Sequence, residues 1–168
     1  MVLDGRKWEP DQDEQDSCKA GFSCRYADLV RPGVGLSPKY VIVASRDPKG
    51  FEVADHIKSE NYLRMQVPDV RQPGAYVLDG TWRGHFLPFM TFSVRQPDGT
   101  YKIYVNDARR TPLVVNVSEI VRDVSISMPG IIGTFSGGLY NEKDPSDSLV
   151  VTKGEFNLTY MGANHCGY

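Results

Sequence analysis

Apolar and polar residues alternate one for one along much of this chain, and that period limits its fold more than any other feature. In Phe89–Arg95, Met90, Phe92 and Val94 share one parity while Thr91, Ser93 and Arg95 share the other. In the last third, Phe156, Leu158 and Tyr160 alternate with Glu155, Asn157 and Thr159. Successive strand side chains point to opposite faces, so a period of two describes strands buried on one side and wet on the other. An amphipathic helix would need an apolar residue every three or four positions.

The same pattern recurs. Leu63, Met65 and Val67 alternate with Arg64 and Gln66; Lys39–Arg46 is apolar on both faces, as a central strand would be. Tyr101, Ile103 and Val105 alternate with Lys102, Tyr104 and Asn106, which predicts that the first three face the core. Between them and Phe89–Arg95 lies Gln96-Pro97-Asp98-Gly99, strong hairpin chemistry. Leu3–Trp8 reads as a short strand or hairpin about Asp4-Gly5, and Ala75–Leu78, Leu113–Val117 and Val121–Met128 read as further strands. Pro129-Gly130 then turns the chain into a terminal hairpin, and Phe51–Ser59 is the one place where a helical turn or two fits. The expected fold is all-β, an antiparallel β-sandwich or flattened barrel of about nine or ten strands with at most one short helix. No linker divides the chain, so 1–168 is read as a single domain, with an irregular segment over 1–38 and a disordered tail over 161–168.

Charge and composition exclude some functions. The net charge is −2 and no basic run exceeds Arg109-Arg110, so the concentrated positive face that nucleic-acid binding needs is missing. No apolar run reaches the roughly 18 residues of a membrane-crossing helix. The start, MVLDGRKWEP, lacks the apolar centre of a secretory signal, which fits either a cytoplasmic protein or a chain trimmed of its leader. Three cysteines stand at 18, 24 and 166. A Cys18–Cys24 bridge, or one between the N-terminal loop and the tail, fits an exported protein; three reduced thiols fit a cytoplasmic one.

Searches for reactive constellations favour plain structural readings. Gly133–Gly137 (GTFSG) places Ser136 one position late for a nucleophile elbow, so its glycines are assigned to a bulge or to close packing against an aromatic. His56, His85 and His165 are too far apart in sequence to suggest a metal site, and no cofactor is expected. Asp11, Asp13, Glu14 and Asp16 lack the glycine and spaced glutamate of a calcium loop and read as a solvated segment. Asn141–Asp147 reads as turn formers between two strands. The Asn116 and Asn157 glycosylation patterns fall inside strands and are read as chance. Two stretches could recognise a partner. Thr81–Phe89 gathers Trp82, Arg83 and His85 with further aromatics, and aromatics with arginine dominate binding hot spots, although the plainer reading is that Trp82 and Phe86 plug the end of the sandwich. Asn106–Thr111 carries Arg109 and Arg110 beside Asp107, either an anion clamp or a turn held by a local Asp–Arg pair.

Several segments carry a resemblance: DGRKW (Asp4–Trp8), the apolar strand Tyr40–Ala44, PGAYVL (Pro73–Leu78), IIGTFSGGL (Ile131–Leu139) and VVTKGEFNLTY (Val150–Tyr160). In this order they resemble a family of small β-rich domains of unknown function in secreted lipoproteins of Bacteroidetes-type bacteria. Gln15–Ser37 and Thr81–Pro88 depart from that pattern as insertions, and a lipid-bearing N-terminus is absent. The resemblance implies export to the periplasm or outer membrane, with a lipid anchor in the native protein, and implies no reaction. The expected function is a non-enzymatic, envelope-associated binding or structural module whose partner is a protein or glycan. The alternative is a small inhibitor or immunity-type protein; a hydrolase using His85 or His165 ranks third.

Overall fold

The computed structural model describes residues 1–10, 22–31, 35–46, 60–68, 70–80, 88–122 and 129–158. These form eleven strands and no helix: β1 (Val2–Leu3), β2 (Arg6–Lys7), β3 (Phe22–Arg31), β4 (Gly35–Arg46), β5 (Asn61–Pro68), β6 (Gly74–Leu78), β7 (Phe89–Arg95), β8 (Tyr101–Asn106), β9 (Leu113–Val121), β10 (Gly130–Asn141) and β11 (Ser148–Asn157). All pairings are antiparallel. The all-β expectation therefore holds, with the strands in one curled sheet. The irregular segment expected over 1–38 is corrected: it contains β1, β2, β3 and the start of β4. Phe51–Ser59 and the 161–168 tail lie outside the described residues, as does 123–128 of the strand expected over Val121–Met128.

The sheet runs β2-β1-β11-β10-β8-β7-β5-β4-β3 and forks at β10. On the side away from β11, residues Gly130–Ser136 of β10 pair with β9, whereas Leu139–Asn141 pair with β8. β9 carries β6 on its far side, so the fork's second arm is β9-β6. The inner face of the curl holds the core. Tyr40, Ile42, Leu63, Met65, Val67, Met90, Phe92, Leu113, Val115, Ile131, Leu139, Val151 and Phe156 are all buried. The Tyr40 hydroxyl donates to the Pro129 carbonyl at 2.8 Å, tying β4 to the entry of β10.

Local chemistry sets the two clearest hairpins. Asp4 (φ 46) and Gly5 (φ 79) both take positive φ, as the tight turn between β1 and β2 requires. The Asp4 N–H donates to Val150 C=O (3.0 Å), and Asp4 Oδ1 accepts the Val150 N–H (2.7 Å), which sews the hairpin to β11. Between β7 and β8, Asp98 Oδ1 accepts both the N–H (2.9 Å) and the hydroxyl (2.7 Å) of Thr100. That hairpin forms where the sequence places it, but its register corrects one expectation. Phe92 lies opposite Tyr104 and Ser93 opposite Ile103. Directly opposed residues share a face, so Tyr104 and Asn106 follow Phe92 inward, while Tyr101, Ile103 and Val105 remain half-buried on the other side.

Glycines stand where aromatic rings press on the backbone. A β-carbon on Gly154 would lie 2.6 Å from the Phe135 ring, and one on Gly133 would lie 2.4 Å from Asn116 O and 2.6 Å from the Phe156 ring. Phe135 and Phe156 stack at 6.4 Å between centroids. Pairing of β10 with β11 slips between Phe135 and Gly137, the bulge expected in GTFSG.

At the fork, buried Asn106 completes the backbone pairing. Its Oδ1 accepts the Met90 N–H of β7 at 2.7 Å, and its Nδ2 donates to Leu78 C=O of β6 at 2.6 Å. Asn106→Ala would leave both groups buried and unmatched, so it is expected to destabilise the fold by about 2–4 kcal/mol. Urea unfolding of the variant against wild type measures this.

Candidate functional site

A half-open cleft of about 1170 Å³ lies where the curled sheet fails to close, between the β1–β2 hairpin with β11 and the inner face of β4 and β5. Trp8, Ile42, Ala44, Leu63, Met65, Phe135 and Phe156 form its floor, and each is buried. Trp8 packs edge-on against Phe92 at 5.5 Å, and its indole N–H, buried with it, has no hydrogen-bond acceptor among the described residues. The accessible surface is the rim: Lys7, Glu9, Arg46, Lys153, Glu155 and Asn157 are exposed. Lys7 and Glu9 pair at 2.8 Å, and the Lys7 bond holds the Glu9 carboxyl below its usual range. The site thus offers rigid apolar walls and a rim of mixed charge.

A second cluster pins the β10–β11 loop to β8. Asp147 Oδ2 receives Lys102 Nζ (2.6 Å) and Asn141 Nδ2 (2.9 Å), and the Tyr104 hydroxyl donates to the same carboxylate at 3.2 Å. The Lys102 bond, then the Asn141 bond, hold the Asp147 carboxyl below its ordinary value; Asp147 in turn raises Lys102, and burial raises the Tyr104 phenol. Within the loop, Asp144 Oδ1 accepts both the N–H and the hydroxyl of Ser146. Sequence reasoning missed this cluster. Lys102 and Tyr104 share one face of β8 at a spacing of two, but nothing local signals their partner some 40 positions away.

Arg109 and Arg110 sit in the adjoining turn. Asp107 Oδ1 accepts the Arg109 N–H at 3.0 Å, and Asp107 lies 3.4 Å from Arg109 Nε and 3.6 Å from Arg110 Nε. The Arg109 N–H first, and then its side chain, keep the Asp107 carboxyl low. Arg110 also donates to Pro145 C=O (3.0 Å) and lies over the Tyr140 ring at 5.0 Å. Arg110 is thus engaged on three sides, while Arg109 is exposed beyond its Asp107 contact. Trp82, Arg83 and His85 lie outside the described residues, as do Cys18, His56, His165, Cys166 and the acidic group 11–16. Cys24 lies in β3 in register with Ile42 of β4. The structure therefore places Arg109 and Arg110 beside the β10–β11 loop, away from the cleft. Among the described residues no three His, Cys, Asp or Glu side chains are grouped to hold a metal.

A carboxylate bonded only in the folded state, with its pKa lowered, adds stability above the ordinary carboxylate value of about 3.9 and loses it as pH falls through the lower folded value. Stability of the wild type should therefore fall with acidification below that value. Asp147→Asn should flatten the fall without abolishing it, because Asp98, Asp107 and Asp144 are also held low. Urea midpoints measured from neutral to strongly acidic pH test this.

Comparison with known proteins adds one finding to this geometry. No curated protein and no solved structure matches the chain. A family model described as "Domain of unknown function (DUF5025)" matches residues 1–159, spanning every described strand. The chain belongs to this family of domains of unknown function.

Proposed function

We propose that this domain is a non-enzymatic binding or structural module of the bacterial envelope that meets its protein or glycan partner at the cleft. The observation that carries this reading is the cleft's construction. Its floor is a continuous part of the packed core, so its shape is set before any ligand arrives, which lowers the ordering cost of binding. Its volume of about 1170 Å³ lies above the usual range of roughly 300–1,000 Å³ for small-molecule pockets, and it is half open. That shape suits a segment of a larger molecule better than an enclosed metabolite. What such a segment would touch is the rim, where Arg46, Lys153 and Glu155 have no ionic partner among the described residues.

Placement outside the cytoplasm is part of the proposal and is supported by the DGRKW, PGAYVL and VVTKGEFNLTY segments, which resemble those of secreted lipoproteins. A Cys18–Cys24 bridge belongs with that placement. Trp82, Arg83 and His85 remain candidates for a second contact, with aromatic and guanidinium chemistry suited to either partner class.

The test is a glycan array together with pull-down against purified envelope proteins. A ligand that binds wild type should bind Arg46→Glu severalfold more weakly, with thermal melting unchanged. Saturable turnover of any substrate, or binding indifferent to rim charge, would sink the proposal.

A further inference from the structure

We propose that the segment bound at the cleft is a peptide whose carboxylate is held at the mouth by Arg46, Lys153 and the Trp8 indole N–H, with an apolar side chain beside it against the cleft's lining. The inference rests on the reading of the cleft as the binding site and names the ligand chemistry that the site selects. Sheet register places the first donor. Ala44 lies opposite Leu63, and Leu63 opposite Phe92, the ring on which Trp8 packs. Arg46 shares the inner face with Ala44 and stands two residues, about 7 Å, farther along β4. It is exposed and lines the cleft, so its guanidinium rises from the row next to the one that carries Trp8. On the facing wall, β1 pairs with β11 only as far as Thr152. Lys153 and Glu155 therefore stand on the open edge of β11, which no strand covers among the described residues.

Donors outnumber acceptors at this mouth. Lys7 and Glu9 satisfy each other at 2.8 Å. Arg46, Lys153 and Glu155 are exposed and have no ionic partner among the described residues. Arginine, lysine and the indole can only donate, and Glu155 is the one free carboxylate beside them. Trp8 is only 8% exposed, and its N–H has no acceptor among the described residues. A buried donor left unmatched keeps the full cost of its lost hydration. Nε1 touches no solvent, so an acceptor reaches it by wedging between Trp8 and the β4 wall, and the bond it makes there recovers that cost. A carboxylate fits the planar fork of a guanidinium and supplies oxygens for the other two donors. Glu155 is left to accept an N–H of the same segment. The lining below is aliphatic and aromatic, which suits an apolar side chain. A sugar ring would need an exposed aromatic face, and Trp8, Phe135 and Phe156 are each buried. These features favour a peptide over a glycan.

Three peptides test the inference: acetyl-Val-Leu-Phe with a free C-terminal carboxylate, the same peptide amidated, and acetyl-Val-Leu-Glu-amide. Each is titrated by NMR into isotope-labelled wild type, Arg46→Ala and Lys153→Gln, and glucuronate serves as a carboxylate without an apolar body. Trp82→Phe assigns the indole N–H signals. At least one carboxylate peptide should move the Trp8 indole signal downfield and saturably, binding about tenfold more tightly than the amide. The tighter of the two identifies a chain terminus or an acidic side chain as the source. Arg46→Ala and Lys153→Gln should each weaken that binding severalfold, with circular dichroism melts unchanged. An amide that binds as well as the acids, a Trp8 signal that no peptide moves, or glucuronate binding as tightly as the peptides would overturn the inference. If the peptides fail while a glycan binds in an Arg46-dependent way, this inference falls and the reading of the cleft stands. If neither peptide nor glycan binding depends on Arg46, both fall.

Discussion

A long strand that changes partners midway creates a gap, and here one side chain fills it. β10 pairs with β9 over Gly130–Ser136 and with β8 over Leu139–Asn141, so the sheet divides along its length. At the point of division the ladder from β7 to β8 ends at Thr91–Val105, and the ladder from β6 to β9 ends at Leu78–Leu113. The carboxamide of Asn106 carries both forward, accepting from one strand and donating to another. Its two functions are distinct. Neither an aliphatic residue nor an ionised carboxylate could both accept from Met90 N–H and donate to Leu78 C=O. Buried Leu78, Met90, Leu113 and Leu139 surround this bridge, so the inner core and the fork are set by the same contact.

The sequence made the strands legible, but not how they are joined. Alternation in Phe89–Arg95 and Tyr62–Val67 reports a one-sided environment for each strand; the first segment behaves accordingly, whereas in the second only Arg64 is exposed and Gln66 is buried with Met65 and Val67. On β8 the same rule points to the wrong face. Ile103 is more apolar than Tyr104 or Asn106, but the register across the hairpin places Tyr104 opposite Phe92. Tyr104 can occupy the inner row because its hydroxyl emerges at Asp147, and Asn106 can because it meets two backbone groups. Their partners come from β6, β7 and the β10–β11 loop, and no local window contains that information. The glycines of GTFSG were legible as a bulge or a close-packing site, but not what crowds them: Asn116 and the Phe156 ring lie against Gly133, and Pro112 and Leu113 against Gly137. The candidate site was less so. Of the recognition residues singled out from sequence and described in the structure, Arg109 and Arg110 brace a turn, whereas the cleft draws on β1, β2, β4, β5, β10 and β11 together.

Polar contacts at the two ends of the β10–β11 hairpin work differently. At the loop end, Asp147 is satisfied by a lysine, an asparagine and a tyrosine, and Arg110 adds a bond to Pro145. Each exposed member contributes little by itself, but together they hold six loop residues against β8. At the other end, Lys153 and Glu155 have no such partners among the described residues. One end of the hairpin is therefore fixed internally, and the other leaves its charges available.

The open edge follows from the packing of Trp8. The β1–β2 hairpin is the terminal element beside β11, and its strands are two residues each. The turn at Asp4-Gly5 fixes one end of it; at the other, Trp8 leaves the sheet plane to pack against Phe92 while its backbone still pairs with Met1. Burying an indole contributes far more than extending a solvent-exposed edge ladder by a few residues, so the chain turns inward and protection of β11 stops at Thr152. At the next residue, Lys153 takes a left-handed backbone at φ 50, a shape that costs a residue with a β-carbon about 1 kcal/mol. From there on, Lys153, Glu155, Phe156 and Asn157 line the cleft. Core packing at Trp8, the left-handed residue at 153 and the edge of β11 without a strand partner among the described residues thus meet at the point where β1 ends.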